Sequence, residues 1–254
     1  SRPVIPGAAR APGPSVVDTL VADRVPPPAP LLTESSPFLG DADIPTERYT
    51  SRAFFEREMV AVWGRAWQWA CREEHLLDVG DTYVYDIGPW SVILVRAAPD
   101  RIEAFRNSCT HRGTRLLDGE GSGYAGAFTC PFHGWSWALD GSIRNVPGRW
   151  DFPHVCAEHH DLRPVRCDTW GGFVFVNLDT DAAPLGAQLE VLPDHFRHFP
   201  LERRRIRVHV RKALPANWKA ARTAHSTSRL RPQDPPTGST IRSASHIRTR
   251  MATR

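Results

Sequence analysis

Two short pairs constrain this chain more than any other feature: Cys109-Thr110-His111 and Cys130-Pro131-Phe132-His133, with 18 residues between His111 and Cys130. Each pair supplies one thiol and one imidazole, and each lies in a turn rich in Gly, Pro and aromatic residues. Thiolate and imidazole are metal ligands, so a shared site requires a fold that brings the tips of two separate turns together. Gly113 and Gly134 flank the pairs and allow backbone N–H groups to approach whatever the ligands hold.

The surrounding residues read as short strands. Thr82–Ile87, Ser91–Arg96 and Ile102–Asn107 are rich in Val, Ile, Tyr and Phe, and Gly88-Pro89 and Pro99-Asp100 punctuate them as turns. Phe128–Thr129 leads into the second Cys. Trp135–Leu139, the Asp140-Gly141 turn and Ser142–Val146 read as a hairpin, and Gly172–Leu178 as a final buried strand. Ahead of them, Phe55, Met59, Val62, Trp63 and Trp67 recur at helical spacing, which predicts a core-packing helix over 51–69, capped by Thr50 or Ser51. The expected fold is mainly β: a small antiparallel domain over 46–180 with a leading helix. Residues 185–199 are expected to form a short helix. Arg205–Arg211 alternates Ile206, Val208 and Val210 with basic residues, as a half-exposed strand would.

The two ends differ from this middle. Residues 1–45 hold ten of the 23 Pro and no apolar period, so a disordered leader is expected. Residues 222–254 lack aromatics and are dominated by Arg, Ser, Thr, Pro and Ala, so a disordered tail is expected. The tail's seven Arg and single acid, Asp234, more than account for the net charge of +4 and leave the rest near neutral. A nucleic-acid partner would need a basic face on a folded domain, so none is expected. No apolar run is long enough to cross a bilayer, and no membrane partner is expected. Cys71, Cys156 and Cys167 are too widely spaced for a disulfide framework, so a cytoplasmic setting is the expectation.

A Cys₂His₂ set suits zinc or a two-iron, two-sulfide cluster. Zinc fingers place two Cys together and two His together, whereas each pair here is mixed. In the mixed-ligand cluster each loop gives one Cys to one iron and one His to the other, and the order Cys-x-His and Cys-x-x-His fits it. His154, His159 and His160 are spaced too loosely for a further metal site and read as surface residues.

The segments Ile102–Gly113 and Phe128–Trp135, with Cys109-Thr110-His111-Arg112-Gly113 and Cys130-Pro131-Phe132-His133-Gly134-Trp135 at their centres, resemble the cluster loops of Rieske non-haem iron oxygenases. These are the large subunits of ring-hydroxylating enzymes, and the resemblance extends over about residues 43–221. Rieske proteins of respiratory complexes carry an extra Cys in each loop, which neither loop here offers. The resemblance implies that Cys109, His111, Cys130 and His133 hold a [2Fe–2S] cluster. It implies a ferredoxin or flavin reductase fed by NAD(P)H as electron donor. It also implies an oxygenase small subunit or a homotrimer in the assembly, and a mononuclear Fe(II) that activates O₂ for hydroxylation.

Asn217-Trp218-Lys219 matches the opening of the oxygenase catalytic domain, which places the start of an α+β domain at 181–221. An acid and two closely spaced His should follow. His225 has no His partner at helical spacing, His246 is 21 residues further on, and Asp234 is the only acid after Lys219. The expectation is a truncated or frameshifted catalytic domain with residues 222–254 out of frame, and a chain that relays electrons without completing catalysis. A stand-alone Rieske electron-transfer protein and a zinc-stabilised interaction module remain the alternatives.

Overall fold

The computed structural model describes residues 14, 16–29, 42–211 and 213–227. Among these, ten strands form three antiparallel sheets. The central sheet contains β2 (Asp81–Ile87), β3 (Trp90–Ala98), β4 (Arg101–Arg106) and β5 (Gly121–Tyr124), in the order β4-β3-β2-β5. One face is covered by β1 (Gln68–Arg72), β10 (Phe173–Asn177) and β9 (Arg166–Trp170), in the order β1-β10-β9. On the other side lies a small sheet of β6 (Phe128–Thr129), β7 (Ser136–Trp137) and β8 (Ile143–Asn145).

The sequence of β3 explains this layering. Val92, Ile93, Leu94 and Val95 are all fully buried, although neighbours along a strand point to opposite faces. Val92 and Leu94 pack with Ala104, Val174 and Val176 on one side, while Ile93 and Val95 pack with Phe105, Phe128 and Trp137 on the other. A strand covered on both faces reads as a continuous apolar run. Each such side chain contributes about 1.5–3 kcal/mol of burial. The β2–β3 hairpin turns on Gly88, at φ 53°, followed by Pro89. Positive φ at the first central position and proline's fixed φ at the second suit a two-residue hairpin whose twist matches its strands.

The expected strands other than Arg205–Arg211 appear within a residue or two of their limits, but three more were not foreseen. β1 overlaps the end of the predicted helix over 51–69, whose observed counterpart is α1 (Arg52–Glu58), continued by a π-turn at Met59–Trp63. Ser51 is the cap and accepts from the Phe54 N–H at 3.2 Å. The apolar spacing persisted through Trp67, but antiparallel pairing of Gln68–Arg72 with β10 overrides it. β5 is glycine-rich, and the exposed positions of β9 carry polar side chains, so neither shows an apolar pattern.

The predicted helix over 185–199 is two short pieces, α2 (Leu185–Leu189) and α3 (Leu192–His195). The break falls at Glu190, whose φ of 49° no helix accommodates. Arg205–Arg211 is not a strand: no partner strand meets it among the described residues, and Val208 is 63% exposed. Its start is pinned instead by buried Arg72, whose guanidinium donates to the carbonyls of Gly171, Leu201 and Arg204 at 3.3, 3.0 and 2.7 Å. A final helix, α4 (Trp218–Thr227), begins within Asn217-Trp218-Lys219 and runs past Ala221, where the composition changes. The remainder of the expected tail, 228–254, lies outside the described residues. In the expected leader, Val16–Val21 forms one short helix, and most of the other leader residues lie outside the described set.

Candidate metal centre

Both Cys/His pairs sit on turns that leave strands of the core around Ile93, Phe105, Phe128 and Trp137. The first follows β4, and the second joins β6 to β7. The two turns share one hydrogen-bond frame. Cys109 N–H donates to the Thr114 carbonyl at 2.7 Å, and Gly113 N–H donates back to the Cys109 carbonyl at 2.8 Å. Cys130 N–H donates to the Trp135 carbonyl at 2.8 Å, and Gly134 N–H to the Cys130 carbonyl at 3.0 Å. The offsets along the chain are identical. Gly113 and Gly134 close the turns at φ 76° and 70°. A Cβ there would come no nearer than 3.8 and 3.4 Å to other groups, so backbone conformation and not space demands glycine.

The first turn has a second support that the sequence did not reveal. Asn107 is buried, and its side-chain carbonyl accepts from the Leu116 and Leu117 N–H groups, both at 3.0 Å. Its amide donates to the Leu117 carbonyl at 2.8 Å and Ser91 Oγ at 3.0 Å. One buried side chain thus holds both ends of the 107–117 excursion, with all four of its hydrogen-bonding positions used. Its sequence signal was only an Asn at a strand end.

The frame brings like ligands together. Cys109 and Cys130 are 3% and 2% exposed, and their side chains lie close enough for each to shift the other's thiol. Burial pushes the Cys109 thiol up, opposed by the N–H groups of His111 and Arg112. Burial also acts upward on Cys130, but the N–H groups of His133 and Phe132, with the Cys109 and Thr114 side chains, bring its thiol below the ordinary value. Backbone donors aimed at sulfur stabilise thiolate, the form that ligates metal.

The imidazoles of His111 and His133 lie at the outer edge with ring centroids 4.8 Å apart. Burial, reinforced by His133, Arg112 and His160, holds His111 below the usual imidazole range, in the neutral form a metal requires. Its Nδ1 is buried without a hydrogen-bond partner. Buried polar nitrogens are rarely left so, and a metal ligated at this one would satisfy it. Trp135 stacks on the His111 ring, 4.8 Å away and 6° from parallel. Beyond the imidazoles the surface is open: His133 is exposed and Phe132 is 65% exposed.

Two neighbouring thiols and two imidazoles side by side make a two-plus-two arrangement. Among the described residues no three His, Cys, Asp or Glu side chains group as a single-ion site requires. A donor set divided into a thiol pair and an imidazole pair has the two-and-two form of a mixed-ligand [2Fe–2S] centre. His154 and His159 are exposed, as expected of surface residues. His160 differs from that expectation: it is half-buried, with its ring 5.7 Å from Trp135. His225 lies in α4.

Residues 66–155 match the family model of the Rieske [2Fe-2S] domain, and the mainly antiparallel fold is that of a Rieske protein. The chain is homologous to the alpha subunits of Rieske oxygenases over roughly seven-tenths of its length. It is 32% identical to the carnitine monooxygenase oxygenase subunit of Escherichia coli (strain K12) over 178 residues, 69% of this chain and 47% of that protein. It is 31% identical to the biphenyl 2,3-dioxygenase subunit alpha of Rhodococcus jostii (strain RHA1) over 209 residues, 76% of this chain and 45% of that protein. Among solved structures it resembles the quaternary ammonium Rieske monooxygenase CntA in complex with L-carnitine, with a TM-score of 0.64 and 27% identity over 74% of this chain and 57% of that one. Naphthalene 1,2-dioxygenase from Rhodococcus sp. bound to indole follows with a TM-score of 0.51 and 28% identity, over 54% and 32% of the two chains. The chain spans about half the length of the curated relatives it matches. No helix among the described residues is long and apolar enough to cross a membrane.

Proposed function

We propose that this chain is the electron-relay portion of a Rieske oxygenase large subunit. Cys109 and Cys130 would hold one iron of a [2Fe–2S] cluster, and His111 and His133 the other. The observation that carries this reading is the frame of the two turns, which joins the thiols and leaves the buried His111 Nδ1 without a partner. The cluster supplies one-electron transfer when bound. The chain's own part is to bury the thiol side, direct backbone N–H groups at the sulfurs, and keep the imidazole side at the surface. The exposed edge at His133 and Phe132 suits electron exchange with a ferredoxin or flavin reductase fed by NAD(P)H.

Delivery of electrons to a mononuclear Fe(II) for O₂-dependent hydroxylation is part of the proposal for the enzyme as a whole. After Asn217-Trp218-Lys219 these 254 residues contain no acid with two neighbouring His, so hydroxylation by this chain alone is not expected. The relatives named above act on carnitine and on biphenyl, and either a quaternary amine or an aromatic ring would suit a substrate within this family.

The test is metal and sulfide analysis of anaerobically prepared chain, with visible absorption and EPR of the reduced form. Two iron and two acid-labile sulfides per chain are expected, lost in Cys109→Ala and His133→Ala. Stoichiometric zinc without iron would select the interaction-module reading instead.

A further inference from the structure

The two cluster turns meet a third segment that no sequence motif marks. His160 ends a single helical turn, Ala157–His160, and its backbone carbonyl accepts two side-chain donors. Thr110 Oγ1 donates to it at 2.9 Å, and Trp137 Nε1 at 2.8 Å. Thr110 stands between Cys109 and His111 at the tip of the first turn. Trp137, fully buried, leaves the second turn four residues after His133. One carbonyl thus ties both turns, using both of its lone pairs. The His160 ring also faces Trp135, whose indole stacks on His111.

The position of the carbonyl is itself fixed. His160 N–H donates to the Cys156 carbonyl at 3.1 Å, and the neighbouring Asp161 carboxylate accepts from the Ile143 N–H at 2.7 Å. Leu162 N–H donates to the Gly141 carbonyl at 2.8 Å. The anchor lies outside both turns and is tied to the β7–β8 hairpin through Asp161 and Leu162, so it can hold the turns in a set relation to each other.

We propose that the His160 carbonyl is a clasp that orients the His111 imidazole, with Thr110 and Trp137 as the positioning residues through which it acts. The inference rests on the cluster reading given above. Thr110 adjoins His111 directly, so loss of its hydrogen bond frees the turn to rotate the ring against Trp135. Ligand orientation and its outer hydrogen bonds tune an iron–sulfur centre's potential and its hold on metal.

The test compares Thr110→Val, which keeps shape and removes the donor, with Thr110→Ser, which restores the hydroxyl. The readouts are the midpoint potential, the g-values of the reduced cluster, and the rate of cluster loss to a chelator. Thr110→Val should shift the potential and g-values and speed cluster loss by about 10-fold, and Thr110→Ser should return all three towards the unchanged chain. Should Thr110→Val not fold by circular dichroism, Thr110→Ala is read in its place. Wild-type values in the hydroxyl-free variant overturn the clasp, and so does failure of Thr110→Ser to restore them, because the methyl and not the hydroxyl would then matter. If the unchanged chain holds no iron–sulfur cluster at all, the cluster reading falls and the clasp falls with it.

Discussion

The ion pair between Glu58 and Lys219 joins the leading helical segment to the start of α4, and its removal is a test of how firmly the segment after the Rieske domain is docked. Lys219 Nζ lies 2.7 Å from each carboxylate oxygen of Glu58, with the two side chains 20% and 11% exposed. The same ammonium lies 5.2–5.5 Å from the ring centroids of Trp218, Phe54 and Tyr49. Exposed pairs contribute about 0–1 kcal/mol, while breaking a buried pair costs about 3–5 kcal/mol. The partial exposure here places Lys219→Met near 2 kcal/mol, roughly midway. The methionine retains much of the aliphatic contact, so the loss reports charge. For a folded unit of this size that corresponds to a fall in Tm of about 4–8 °C. Glu58→Gln keeps the cation over its rings and removes only the pair. A double-mutant cycle by urea denaturation should return a coupling of about 1–2 kcal/mol. Coupling within about 0.3 kcal/mol of zero would show that water screens the pair and that the rings alone hold the lysine, refuting the reasoning.

Further outcomes are expected at two glycines and at Cys167. Gly134→Ala should cost about 1–2 kcal/mol, because a left-handed φ is forced on a residue with a Cβ that otherwise meets only Pro147. Gly141→Ala has the same backbone penalty, and its Cβ would also collide with the Phe105 ring, so urea midpoints should rank it clearly below Gly134→Ala. The Cys167 thiol is pushed up to about 12 by burial, with Glu103 and Asp168 adding to the shift. It should resist alkylation at pH 9 in the folded chain and react at once in urea. Because the unfolded thiol ionises first, its contribution to stability is present below the ordinary thiol value and is lost as pH rises from there towards 12. Cys167→Ala should accordingly flatten the fall in urea midpoint between pH 8 and pH 10.

Local chemistry explains what could be read in advance. The strands around Tyr83, Leu94 and Phe105 carry β-branched and aromatic residues between turns with Gly and Pro, and they formed where those signals stand. Failures occurred where a distant partner outweighed a local pattern. Trp67 continued the helical spacing, yet pairing with β10, about a hundred residues away, took the adjoining Gln68–Arg72 as a strand. Ile206, Val208 and Val210 alternate as a strand would, but a strand requires a neighbour, and none meets them among the described residues.

The same division applies to the candidate centre. By itself the sequence determined the ligand types, their mixed order and the glycines that let each turn close, since these depend on covalent spacing and backbone conformation. Tertiary structure decided whether the thiols meet, which face of His111 is covered, and what holds the turns. Asn107 closes its turn from inside, and the His160 carbonyl reaches Thr110 from 50 residues away. A backbone carbonyl is common to every residue type, so its placement leaves no mark in the sequence and arises only when the chain is packed.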